Sequence, residues 1–215
     1  LERTWRMHSD VCRFISEAVY DGKLQPVPEL ARQSLVLGRN ANPALRTTGV
    51  GFVAVDHDGC GQKSEEEASV VAEIYASLLE QRWRAADGAV APLTADDILV
   101  VAPYNLQVNL LRRRLPDGAR VGTVDKFQGQ EAPVVLVSMA TSSGEYLPRD
   151  FEFLYSKNRL NVALSRARCL ALLVASPRLM DVGCHTPEQI ELVNTLCWVH
   201  EYGSAPKELD RRNTC

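Results

Sequence analysis

At 215 residues the chain is long enough for one sizeable α/β domain with its own core and short for two. Hydrophobic residues make up 46% and charged residues 24%, an ordinary balance for a globular protein, and the formal net charge of −3 excludes a global basic signature for nucleic acid while leaving room for a local positive groove. No run approaches the ~20 apolar residues of a transmembrane helix, so no membrane partner is expected.

In chain order, helical periodicity is expected over 9–20, followed by a long loop over 25–48 rich in Pro, Gly and Asn. An apolar run at 50–55 reads as a buried strand. Residues 64–84 then place Val70, Val71, Ile74, Leu78 and Leu79 on one helical face behind an acidic first turn, Glu65-Glu66-Glu67. Further strands are expected at 98–102, 120–124, 134–139 and 170–175, and helices at 106–115, 155–167 and 187–200. Residues 142–152 read as an irregular connection. The domain is expected to occupy 1–202, with a polar tail at 203–215. Alternation of strand and helix argues for a parallel sheet covered on both faces.

Six cysteines occur, at positions 12, 60, 169, 184, 197 and 215, with no CxxC spacing and no paired His. Reduced thiols in a cytoplasmic protein are expected, with no metal site and with Cys169 as a small buried hydrophobe. The start, Leu1-Glu2-Arg3-Thr4-Trp5, carries neither an initiator Met nor a signal-peptide pattern and reads as the middle of a longer protein.

Four segments carry chemistry. Val121–Glu131 ends a strand in a polar turn, and ligands of open α/β sheets lie outside carboxyl strand ends; Gly129 would let a backbone approach and Glu131 could accept from a hydroxyl. A plain polar turn with Asp125 as a helix cap fits that segment equally well. In Asn158–Arg168, a helix would set Arg159, Val162 and Arg166 within about one face, so that an arginine fork could meet a phosphate; a solvated basic face is the commoner arrangement. Trp5-Arg6-Met7-His8 sets an aromatic ring beside an arginine, yet Trp5 could equally be core and His8 a satisfied polar residue at a helix start. Pro103-Tyr104-Asn105-Leu106-Gln107 follows a strand, so Tyr104 and Asn105 either contact a sugar–phosphate backbone or belong to a turn in which Asn105 caps the helix.

Together these segments resemble the C-terminal motor half of superfamily 1B helicases, the Upf-like group that contains the nonsense-mediated-decay helicase. Trp5–His8 resembles the family's Tyr-Arg-Met-His segment, Pro103–Gln107 motif IV, Thr123–Glu131 motif V and Asn158–Arg168 motif VI. More narrowly, 124–140 and 153–176 resemble bacterial proteins that fuse a RecB-like nuclease to a helicase. The resemblance implies a RecA-like domain with Arg6 and Arg166 sensing the ATP γ-phosphate, Arg166 being the arginine finger. It places Glu131 at the ribose, Gln128 and Gly129 in the same nucleotide-side loop, and Trp5 near the adenine where the family has Tyr. Thr123, with Pro103, Tyr104 and Asn105, falls on nucleic-acid contacts, and Ser9 replaces a usual Pro.

The resemblance also implies partners: single-stranded nucleic acid, DNA in preference to RNA, moved 5′→3′, and an N-terminal RecA-like domain of the same parent chain. That domain would hold most of the ATP and the Mg²⁺, since no GxxxxGK[ST] loop occurs here. A rival reading is a non-catalytic nucleic-acid-binding or protein-docking module that kept the fold, which would be expected to lose the phosphate arginines. A doubly wound nucleotide-binding enzyme needs a Gly-rich strand–helix turn that is missing, and Asp96-Asp97 starts a strand or ends a loop more simply than it binds metal.

Overall fold

A computed structural model describes residues 2–144 and 154–204. Its first half runs β1 (Arg3–Thr4), α1 (Ser9–Val19), β2 (Gln25–Pro26), β3 (Ser34–Val36), β4 (Gly49–Ala54), α2 (Glu65–Leu79), β5 (Arg82–Arg84) and β6 (Val90–Pro92). Its second half runs β7 (Ile98–Val101), α3 (Asn105–Arg114), β8 (Arg120–Gly122), β9 (Ala132–Ser138), α4 (Lys157–Leu164), β10 (Ala167–Ala175) and α5 (Pro187–Ser204).

All five apolar runs are strands of one parallel sheet, in the order β4-β10-β9-β7-β8. Its central strands are buried on both faces, and their side chains alternate between two cores. Leu99, Val101, Val135, Val137, Ala171 and Leu173 meet α1, α4 and α5 on one face. Ile98, Val100, Val134, Leu136, Leu170 and Leu172 meet α2 and α3 on the other. This is the three-layer α/β arrangement expected of a RecA-like domain. Cys169 is fully buried, its thiol pushed up to about 12 by burial, and it packs as the small hydrophobe expected.

Local pattern was overridden in four places. The helix expected over 64–84 stops at Leu79, and Arg82–Arg84 instead pairs antiparallel with both β3 and β6. That satellite sheet buries Leu35 and half-buries Trp83 against the α2 core, a burial that outweighs three residues of helix. Part of the expected loop 25–48 is β2, a short 3-10 turn and β3. Helix α4 ends at Leu164, so Arg166 stands in the turn before β10 and not on a helical face with Arg159. Finally, α5 runs through Gly203 and Ser204, because Gly203 lies flat on β4, where a Cβ would come within 2.3 Å of Phe52 N. The expected connection beyond Gly144 and the tail beyond Ser204 lie outside the described residues, as does Phe153.

Candidate functional site

The loop 123–131 starts at the carboxyl end of β8 and finishes at the amino end of β9. Because the two strands are parallel, the chain has to return along the sheet to begin the second one. Gly122 and Val137 are level with Val101, whereas Ala132 pairs with Ala167. Five residues of strand separate the levels by about 17 Å. The expectation of a carboxyl-end loop therefore holds for Thr123 and fails for Glu131.

At the amino edge, three arginines gather around one carboxylate. Arg6 Nε donates to Glu131 Oε2 at 2.6 Å and its Nη1 donates to Ser165 O at 3.2 Å. Arg168 Nε lies 3.9 Å from Glu131 Oε1. Arg166 is half-buried beside them; its Nε is fully buried and makes no hydrogen bond among the described residues. Burial, and next the positive charge of Arg6, lowers the Arg166 pKa from the usual guanidinium value, with Glu131 opposing both. A guanidinium does not lose its proton at neutral pH, so the lowered value records partial burial and the neighbouring Arg6 charge. Backbone bonds fix the arrangement: His8 N donates to Arg168 O at 2.7 Å and Ala132 N to Arg166 O at 3.1 Å.

Trp5 is 76% exposed, which removes the reading of it as core. It stands between a cleft of about 360 Å³ that reaches Arg6, Glu131 and Ser165 and a groove of about 830 Å³ that runs over 23–29. Gln128 and Gly129 are exposed in the turn before Glu131, and Gly129 takes the left-handed conformation (φ 82°). The amino edge thus collects Arg6, Arg166, Glu131, Trp5, Gln128 and Gly129. Sequence reasoning missed Gln33, Trp83 and the role of Arg168, which stood in a quoted motif without one.

The carboxyl edge holds Pro103, Tyr104, Asn105 and Thr123. Pro103 and Thr123 are half-buried and Asn105 is exposed. Tyr104 is 4% exposed, packed in the α1-side core, so its ring offers no free face for stacking. Neither expected cap forms: Asn105 is the first residue of α3 rather than its cap, and Asp125 lies 3.9 Å from Arg159 instead of capping. Asp96-Asp97 closes the short turn just before β7, at the expected loop end or strand start, and Asp97 forms a capping box with Thr94 that sequence reasoning missed. Gln107 is buried and ties Ser64, at the start of α2, to Ser138 at the end of β9. Among the described residues no cluster of three or more His, Cys, Asp or Glu stands ready for a metal ion, and no helix is long and apolar enough to cross a membrane.

His8 is the satisfied helix-start residue. Its Nδ1 accepts from Asp10 N and its Nε2 donates to Ala31 O, which fixes the neutral ring. Burial holds its pKa below the ordinary value, against the opposing pull of Asp10. The unfolded chain therefore binds this proton more readily, and the stability His8 gives above about pH 6.5 is lost as pH falls through the folded value. Thermal unfolding followed between about pH 7 and pH 5 should show a falling midpoint, and His8→Asn, which keeps a capping side chain, should flatten that slope. An unchanged slope in the variant would remove His8 from this role.

A family model for an AAA domain (AAA_12) matches residues 1–178. The chain is 32% identical over 175 residues to the Schizosaccharomyces pombe protein named DNA polymerase alpha-associated DNA helicase A, covering 76% of this chain and 26% of that one. It is 33% identical over 168 residues to the Rattus norvegicus DNA-binding protein SMUBP-2, covering 76% and 17%. It is 32% identical over 161 residues to the Gallus gallus putative helicase MOV-10, covering 63% and 16%. The chain thus spans about a quarter or less of the length of these curated relatives.

Proposed function

The chain belongs to the AAA_12 family of AAA domains, and from that premise we propose that it is the second RecA-like motor domain of an ATP-driven, Upf-like helicase. The observation that carries the reading is the amino-edge cluster, where Arg6, Arg166 and Arg168 face a single carboxylate and Arg166 Nε is buried without an acceptor. Such a surplus of desolvated positive charge suits a phosphate. In this reading an N-terminal motor domain of the same parent chain cradles the nucleotide and its Mg²⁺, and domain closure brings the γ-phosphate to Arg166 and Arg6. Trp5 lies along the adenine, Glu131 takes the ribose, and Gln128 and Gly129 border it. ATP then exchanges the Arg6–Glu131 ion pair for two contacts of its own. The exchange costs little, because a pair this exposed contributes weakly to stability.

The carboxyl edge, with Thr123, Pro103 and Asn105, meets a single strand, DNA in preference to RNA. Tyr104 supports that edge from inside the core. The relatives named above come from a yeast, a rat and a chicken; the narrower reading, a bacterial nuclease–helicase fusion, rests on 124–140 and 153–176 alone, and a cytoplasmic location rests on the cysteine pattern. The half-site reading makes a sharp expectation. Purified 215-residue chain should hydrolyse no ATP above background, while the full-length protein should do so in a strand-dependent way; substantial turnover by the isolated chain would refute it.

A further inference from the structure

The arginines of the amino edge do not hold themselves in place. Behind them lies Gln33, fully buried, between the 3-10 turn at Pro28–Arg32 and β3. Its Nε2 donates to the main-chain carbonyl of Arg6 at 3.1 Å, and its Oε1 accepts from Arg168 Nε at 3.1 Å. A donor's partner on one side and an acceptor's on the other fix which way the amide points. The Arg168 guanidinium lies 4.9 Å from the centre of the Trp83 ring and reaches Glu131, whose other oxygen receives Arg6. A closed circuit results: Arg6 side chain, Glu131, Arg168, Gln33, and back to the Arg6 main chain. Gln33 directly precedes β3 of the satellite sheet, and Trp83 is the middle residue of β5.

We propose that Gln33 is a positioning residue for Arg6, acting on the Arg6 main chain and through Arg168, and that with Trp83 it makes the satellite sheet the rear support of the composite ATP site. This rests on the reading of Arg6 given above. The physical need is clear: Arg6, Arg166 and Arg168 repel one another, and one carboxylate shared between two of them cannot fix all three. A neutral amide that accepts from Arg168 and donates to the main chain of Arg6 adds a second tie between these two without adding charge. The stacked face of Trp83 then sets the plane of the Arg168 fork. Gln33 itself, with no exposed surface, touches neither nucleotide nor strand and acts through Arg6 and Arg168.

The test uses the full-length protein with saturating single-stranded DNA. Gln33→Met keeps the volume and removes both hydrogen bonds. It should lower kcat roughly 10- to 100-fold, the scale of a displaced catalytic group, with KM for ATP changing far less. Single-turnover hydrolysis of radiolabelled ATP then separates positioning from general damage. In an Arg6→Ala background, Gln33→Met should cost almost nothing further, because the group it positions is gone. Should Gln33→Met fail to fold, Arg168→Lys, at a partly exposed position, carries the same comparison. Unchanged kcat in the single variant, or an equal loss with and without Arg6, overturns the proposal. Full-rate turnover by Arg6→Ala itself would strike the composite-site reading and this inference with it, whereas loss in Arg6→Ala without loss in Gln33→Met defeats this inference alone.

Discussion

Replacing Arg166 by alanine in the full-length protein is expected to cut ATP turnover by roughly 10³–10⁵, the contribution an arginine finger makes in other nucleotidases, while ATP affinity changes little. The proposed site gives a physical reason for this division between turnover and binding. Arg166 is desolvated, repelled by Arg6 and left without an acceptor for Nε. In the proposed site its charge would be best matched where negative charge builds up on the transferring group, so more of its energy would be realised in the transition state than on binding. Lysine should restore little of the loss, since a point charge cannot copy the planar fork. Steady-state kcat and the affinity for a non-hydrolysable ATP analogue give the two readouts. Unchanged turnover would sink the assignment; a loss confined to affinity would recast Arg166 as an ordinary binding residue.

What was legible in the sequence follows from what is local. The five strands of the main sheet announce themselves because parallel strands buried on both faces read as unbroken apolar runs. The satellite sheet did not, although Asp87-Gly88 lies between Arg82–Arg84 and Val90–Pro92 as a hairpin signal should; Gly88 takes φ 91° and Ala89 N bonds Asp87. The preceding periodicity simply carried the helix too far. Arg6 and Glu131 are 125 residues apart, and no spacing argument brings them together. The resemblance put both at one ATP site but gave no ion pair between them. Gln33 gave no signal at all, because its partners, the carbonyl of Arg6 and the side chain of Arg168, lie in other segments.

Glu67 shows the same limit more sharply, and it carries the largest expected effect on stability. Read locally, it is the third of three acidic residues at a helix start, in a Ser64-x-x-Glu67 capping pattern. The Ser64 hydroxyl does accept from Glu67 N. Ser64 N, however, is taken by Gln107, and the Glu67 side chain turns into the protein, fully buried. There Oε2 accepts from Ser138 Oγ at 2.6 Å and Ala140 N at 2.9 Å, while Oε1 lies 2.9 Å from His57 Nε2. His57 in turn meets Ser142, and Ser142 Oγ accepts from Cys60 N. One side chain thus ties the loops after β4 and β9 to α2 at the carboxyl edge, where Thr123 and Pro103 also lie. Glu67→Leu should cost about 3–5 kcal/mol, because an apolar replacement leaves Ala140 N–H and His57 Nε2 buried without partners. Glu67→Gln should cost about 1 kcal/mol: its carbonyl can still accept from Ser138 and Ala140, and its amide can donate to His57 in the other tautomer. Urea unfolding of the two variants makes the comparison, and equal losses would show that packing rather than this network sets the stability. The same loosening should weaken strand binding while leaving the arginine circuit about 17 Å away intact, so the ATP affinity of Glu67→Gln serves as the internal reference.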